Sequence, residues 1–133
     1  MRIMIDTNVL ISAFVLSSSY LTQMLEYIIE HHNIVLPTYI IDELKRITML
    51  KFPQNSKLLE LFLNEFPFEL VYTPEVIDKT KYPEIRDIKD LPILVSAINE
   101  DVDVLITGDA DFASVKTKHL EIMTPRDFVK KYG

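Results

Sequence analysis

The chain has 133 residues, 48% apolar and 26% charged, with 14 basic against 20 acidic side chains and a formal net charge of −6. The length suits one domain spanning 1–133, and with no cysteine the chain cannot be a disulfide scaffold, a thiol enzyme or a Cys-ligated zinc or iron–sulfur protein. The acidic balance also argues against a plain nucleic-acid-binding module, which carries a basic footprint.

Short apolar runs alternate with longer stretches of helical period. Arg2–Ile5 reads as a buried strand, and the apolar stretch around it is broken by Asp6 and Asn8. No run of ~18 apolar residues occurs, so the expected compartment is the cytoplasm. Leu21, Met24, Leu25, Ile28 and Ile29 recur at i, i+3, i+4, i+7 and i+8, one face of a helix expected to end at His31-His32-Asn33 with Asn33 at C′. Ile34–Leu36 is the second strand. A helix follows from about Tyr39 to Leu50, with Thr38 as its expected N-cap. Another follows Pro53, with Leu58, Leu59, Phe62 and Leu63 expected inward. Glu69–Tyr72 is the third strand. Thr73-Pro74 and Thr124-Pro125 both pair a capping hydroxyl with proline at N1, the signature of a helix start. Leu91 to Glu100 forms a helix with Pro92 in its first turn, and Val104–Thr107 and Leu120–Met123 complete the strands. Strands separated by helices predict an α/β fold: a three-layer α/β/α sandwich on a mainly parallel sheet of about five strands.

Open parallel sheets bind ligands outside the carboxyl ends of their strands. Asp6-Thr7-Asn8 follows the first strand, and Thr107-Gly108-Asp109-Ala110-Asp111 follows the fourth. Glu43 lies early in the helix after Pro37-Thr38, and Asp87 and Asp90 precede the Pro92 helix. Each acid alone has a simpler reading. Asp6 can cap a helix, Glu43 can be solvated, Asp87-x-x-Asp90 resembles a capping box, and Asp109 suits a turn. Together, four segments deliver acids to one sheet edge. Converging carboxylates repel unless protonated or neutralised, and oxygen-only donors select Mg²⁺ or Mn²⁺.

These residues resemble the PIN domain, a metal-dependent ribonuclease fold, over essentially the whole chain. The resemblance lies in Met4-Ile5-Asp6-Thr7-Asn8-Val9-Leu10-Ile11-Ser12, in Ile41-Asp42-Glu43-Leu44 and in Asp87-Ile88-Lys89-Asp90-Leu91-Pro92 through Ala97. It continues in Leu105-Ile106-Thr107-Gly108-Asp109-Ala110-Asp111-Phe112, and Met123-Thr124-Pro125-Arg126-Asp127-Phe128 resembles the VapC-like toxins of toxin–antitoxin pairs. It implies Asp6, Glu43, Asp90 and Asp109 as catalytic metal ligands and Asp111 as an auxiliary acid. Asn8 and Thr107 would orient the acids by hydrogen bonds. The third acidic motif departs from the family's denser cluster, because Ile88 and Lys89 separate Asp87 from Asp90. Asp90, at the helix start, fits the ligand position better, which leaves Asp87 a supporting or capping role.

A carboxylate-held Mg²⁺ lowers the pKa of a water and offsets phosphoryl charge, which suits in-line hydrolysis of RNA to 5′-phosphate and 3′-hydroxyl ends. The implied partners are an RNA substrate, an antitoxin protein in the groove and a second copy of the chain, with residues 14–29 and 58–68 supplying apolar surface. The alternative is a PIN fold that binds RNA or protein without cutting. An aspartyl-phosphate phosphatase needs a second carboxylate where Asn8 stands, and a receiver domain needs adjacent early acids and a late lysine; neither pattern occurs. Residues 112–133 are net +3 and 37–59 net +2, whereas 60–78 and 99–111 are each −5. Without the four implied ligands the formal charge is −2, so the total does not exclude RNA.

Overall fold

The computed structural model describes residues 1–133. Five strands, β1 (Arg2–Ile5), β2 (Asn33–Pro37), β3 (Glu69–Val71), β4 (Val104–Ile106) and β5 (Glu121–Met123), form one sheet in the order β3-β2-β1-β4-β5. Every pairing is parallel. Six helices accompany them, five between strands and the last after β5: α1 (Thr7–Phe14), α2 (Ser19–His31), α3 (Thr38–Lys51), α4 (Ser56–Glu65), α5 (Leu91–Asn99) and α6 (Pro125–Tyr132). The chain builds outward from β1 through β2 to β3, then returns to start β4 on the other side of β1. The sheet order therefore reverses between β1 and β4, where α/β folds open their ligand crevice. No single helix is long and apolar enough to cross a membrane.

The strands are apolar because helices cover both faces, and Ile3, Met4, Ile5, Val35, Leu36, Val104, Leu105 and Ile106 are all fully buried. They belong to a cluster of 28 buried apolar residues that includes Leu10, Ile28, Ile40, Ile93, Leu94 and Phe128. Phe14 joins its edge, stacked on Phe62 at 3.5 Å between ring centroids.

Several expected boundaries move, each for a local reason. Two helices fill the first connection, not one, and α1 lacks a visible period because five of its eight residues are buried. With only two glycines in the chain, Ser17 and Asp101 take the left-handed conformation in the turns after α1 and α5, at φ 55° and 53°. Asn33 does stand at C′, after the C-cap His32, but it is not left-handed: it starts β2, its amide bonding to the Met1 carbonyl. His31 does lie in the last turn of α2, with Nδ1 3.0 Å from the Tyr27 carbonyl. Thr38 is not an N-cap; Pro37 occupies that place with no side-chain bond. Thr73-Pro74 starts no helix, whereas Thr124 caps α6 through the Asp127 amide as expected. In α4, Leu59 and Phe62 point inward, but Leu58 is 43% exposed.

The two displaced threonines hold the fold together elsewhere. The Tyr39 amide donates to Thr73 Oγ1 at 3.2 Å, and the Thr73 amide donates to Thr38 Oγ1 at 3.1 Å. Ser96 Oγ of α5 donates to Thr73 Oγ1 at 3.0 Å. Thr73 thus ties the end of β3 to α3 and α5, the helices that carry Glu43 and follow Asp90.

Candidate metal centre

Asp6 directly follows β1 and Thr107 directly follows β4, and the register pairs Ile5 with Ile106. That pairing sets the two residues side by side. The Asp6 amide bonds to the Ile106 carbonyl at 2.9 Å, and Thr107 Oγ1 donates to Asp6 Oδ2 at 2.7 Å. Asp6 Oδ1 accepts from the Thr7 amide at 2.7 Å, so the residue also caps α1. Asp6 is 4% exposed. Burial raises its pKa; the Thr107 and Thr7 hydrogen bonds oppose the rise, and the charges of Glu43 and Asp109 add to it.

Glu43 reaches this point from α3, held by a hydrogen bond from the Thr7 hydroxyl. Asp109 reaches it from the turn after β4. Its amide donates to Thr107 Oγ1 at 3.0 Å, while its Oδ1 accepts from the Asp111 amide at 2.8 Å.

Asp87 and Asp90 make different local contacts. Asp87 caps a short 3₁₀ turn at Ile88–Asp90, accepting from the Lys89 amide at 3.0 Å. Asp90 precedes α5 but makes no capping bond, and its buried Oδ2 has no hydrogen-bond donor at all. The group within reach is the Asp109 carboxylate, which can share a hydrogen bond only when one of the two is protonated. Burial, then the charge of Asp109, the hydrogen bond with it, and the charges of Asp6 and Asp87 push the Asp90 pKa up to about 7. The turn is held against α3 by the Tyr39 hydroxyl, which donates to the Lys89 carbonyl at 2.8 Å. Burial raises the Tyr39 pKa, with the charges of Glu43 and Asp90 adding to the rise.

Carboxylates from four segments therefore meet at one end of the sheet. One oxygen each from Asp87, Asp90 and Asp111 lies within 4.8 Å of the others. Asp6, Glu43 and Asp109 are electrostatically linked to one another through Asp6, and Asp90 joins the two groups. An all-oxygen donor set with a buried oxygen lacking any donor fits a hard divalent cation such as Mg²⁺ or Mn²⁺. Asn8 is exposed beside the cleft next to Gly108 and Asp109 and does not bond to the acids. Thr7, one residue earlier, orients an acid in its place, its hydroxyl donating to Glu43. Arg46, in the basic 37–59 segment, also lies at the acids, as does Arg86, which no motif in the sequence singled out. Arg46 pairs with Glu43 at 3.7 Å and Arg86 with Asp111 at 3.5 Å.

Residues 2–111 match the family model for the PIN domain. Among solved structures, the chain is similar to the crystal structure of VapBC2 from Rickettsia felis bound to a DNA fragment from their promoter. That match has a TM-score of 0.69 and 20% sequence identity over 92% of this chain and 97% of the other. No curated protein matches the sequence.

Proposed function

Since the chain belongs to the PIN domain family, we propose that it is a single-domain, metal-dependent endoribonuclease in which Asp6, Glu43, Asp90 and Asp109 hold Mg²⁺ or Mn²⁺. One observation carries the reading: Asp90 Oδ2 is buried, faces acids and has no donor, a position that only a proton or a cation relieves. Bound there, a divalent ion supplies an activated water and offsets charge on the phosphoryl group. The side chains do the positioning. Thr107 and Thr7 fix the Asp6 carboxylate, and the Thr7 hydroxyl fixes Glu43. Tyr39 keeps the turn bearing Asp90 against α3. Asp87 and Asp111 support this set, Asp87 by shaping the turn and Asp111 through its amide bond to Asp109.

We read the protein as the toxin of a toxin–antitoxin pair, acting on RNA in the cytoplasm and held in check by an antitoxin protein. The likeness to VapBC2 supports this role, as does the family-like motif around Thr124-Pro125. Leu16, Tyr20, Leu58 and Leu61 are exposed apolar residues that suit a homodimer contact.

The test is incubation of wild type and Asp6→Asn with a mixed RNA pool, with and without Mg²⁺ or Mn²⁺. Wild type should cut only with metal, and Asp6→Asn should stay folded and inactive. Cleavage by Asp6→Asn, or by wild type in excess chelator, contradicts the assignment.

A further inference from the structure

Four ion pairs occur in the molecule, and they divide by geometry. Arg2–Glu69 at 2.5 Å and Lys131–Glu121 at 2.6 Å are also hydrogen bonds. Arg46–Glu43 at 3.7 Å and Arg86–Asp111 at 3.5 Å are loose, and neither makes a directed hydrogen bond. The side chains of Arg46 and Arg86 are 62% and 70% exposed, whereas Glu43 and Asp111 are 21% and 23% exposed. Loose, solvated pairs contribute little and exchange easily. Both loose pairs are at the acid cluster.

Their placement is also specific. Arg46 stands one helical turn beyond Glu43 on α3, close enough for its charge to act on the Tyr39 phenol between Glu43 and Asp90. Arg86 directly precedes Asp87 and reaches Asp111, which lies beyond β4. One guanidinium therefore serves the Glu43 side of the cluster and the other the Asp87 and Asp111 side. If their task were only to neutralise acid, tight bidentate pairing would do it better. A divalent cation held by Glu43 would compete with Arg46 for the same oxygens, and its charge beside Asp111 would weaken that residue's pull on Arg86.

We propose that Arg46 and Arg86 are phosphate-positioning residues: once the acids hold a cation, their guanidinium groups engage backbone phosphates of single-stranded RNA beside the scissile bond. Planar guanidinium forks suit phosphate oxygens, and a released arginine next to the cation adds positive charge where the strand must approach. This rests on the metal-dependent cleavage proposed above.

The test compares wild type, Arg46→Gln, Arg86→Gln and the double variant in two binding measurements. The first is calorimetric titration of Mn²⁺ without RNA. Affinity should hold or tighten in the variants, because a competing cation is gone. The second is fluorescence anisotropy of a labelled, mixed-sequence single-stranded oligoribonucleotide in Ca²⁺, which takes the same oxygen ligands as Mg²⁺. Each substitution should weaken binding roughly tenfold and reduce the salt slope by about 0.7, whereas Arg→Lys should recover the slope but not all of the affinity. In turnover with Mg²⁺, KM should rise while kcat stays within about twofold. Unchanged oligonucleotide binding with tighter Mn²⁺ would show that the arginines only neutralise acid, and a loss of Mn²⁺ affinity would show that they support the acids' geometry; either overturns the proposal. If wild type with metal neither binds nor cuts RNA, the functional reading falls and this inference with it.

Discussion

Both ends of the sheet are acidic, yet they treat their carboxylates in opposite ways. At the amino ends of the strands, Arg2 satisfies its neighbours. Its guanidinium bonds to Glu69 at 2.5 Å and to the Glu100 carbonyl at 3.0 Å, and its amide bonds to Asp103 at 2.7 Å. At the carboxyl ends, Asp6, Glu43, Asp87, Asp90, Asp109 and Asp111 gather with two loosely held arginines and one oxygen that no donor reaches. The first end carries its own cation and is structural. The second is left short of positive charge, and the fold spends stability to keep it so. Counting acids does not separate the two ends; asking which acids the chain neutralises itself does.

Substitutions at the two ends should therefore separate activity from stability. The largest effect expected is on cleavage: Asp6→Asn should lower metal-dependent RNA hydrolysis by roughly a thousandfold, about 4 kcal/mol of transition-state stabilisation. Asp103→Asn at the opposite end should leave the rate within about twofold, and equal losses from both would erase the distinction. Next in size is Arg2→Ala, which should cost about 1–2 kcal/mol of stability in thermal or urea unfolding with no change in cleavage rate. A drop in activity beyond the unfolded fraction would show that the ends are coupled.

The smallest effect concerns pH in the metal-free protein. Asp90 has a folded pKa of about 7 against an ordinary 3.8, and that of Asp6 is raised in the same direction. Between these values the folded chain holds protons that the unfolded chain has released, so this contribution is full below about pH 4 and is lost as pH rises toward 7. In EDTA, Tm should fall across that window; Asp90→Asn should flatten the fall and raise Tm at pH 7 by roughly 2–5 °C. Mn²⁺ should restore wild type to the same level. A wild-type Tm that climbs steadily from pH 4 to 7 in EDTA would contradict the assignment.

Much of this was legible in the sequence, because parallel strands covered on both faces must be apolar and the acids stand just beyond them. The turn toward Asp6 and the Thr107-Gly108-Asp109 exit were readable for the same reason. Less was readable where a residue's partner comes from a distant segment. Thr73 looks like a helix cap, but its hydroxyl accepts from the Tyr39 amide, 34 residues away. Thr7 and Asn8 are both plausible orienting residues; helix geometry directs Thr7 to Glu43 and leaves Asn8 in solvent. Helix α1 hides its period because it is apolar nearly all round, a pattern that signals burial and not a boundary. Asp90 and Asp87 could not be separated by spacing alone. They differ in capping, since Asp87 Oδ1 accepts from the Lys89 amide and Asp90 makes no capping bond, but both lie in the same three-acid group with Asp111.

The contrast between the two ends comes down to whether the carboxyl-end acids await a cation, and calorimetric titration of Mn²⁺ into metal-free protein measures that directly. Wild type and Asp103→Asn should bind alike, with saturable heat, and Asp90→Asn should lose more than roughly tenfold in affinity. No saturable binding by wild type, or equal losses at Asp90 and Asp103, would contradict it.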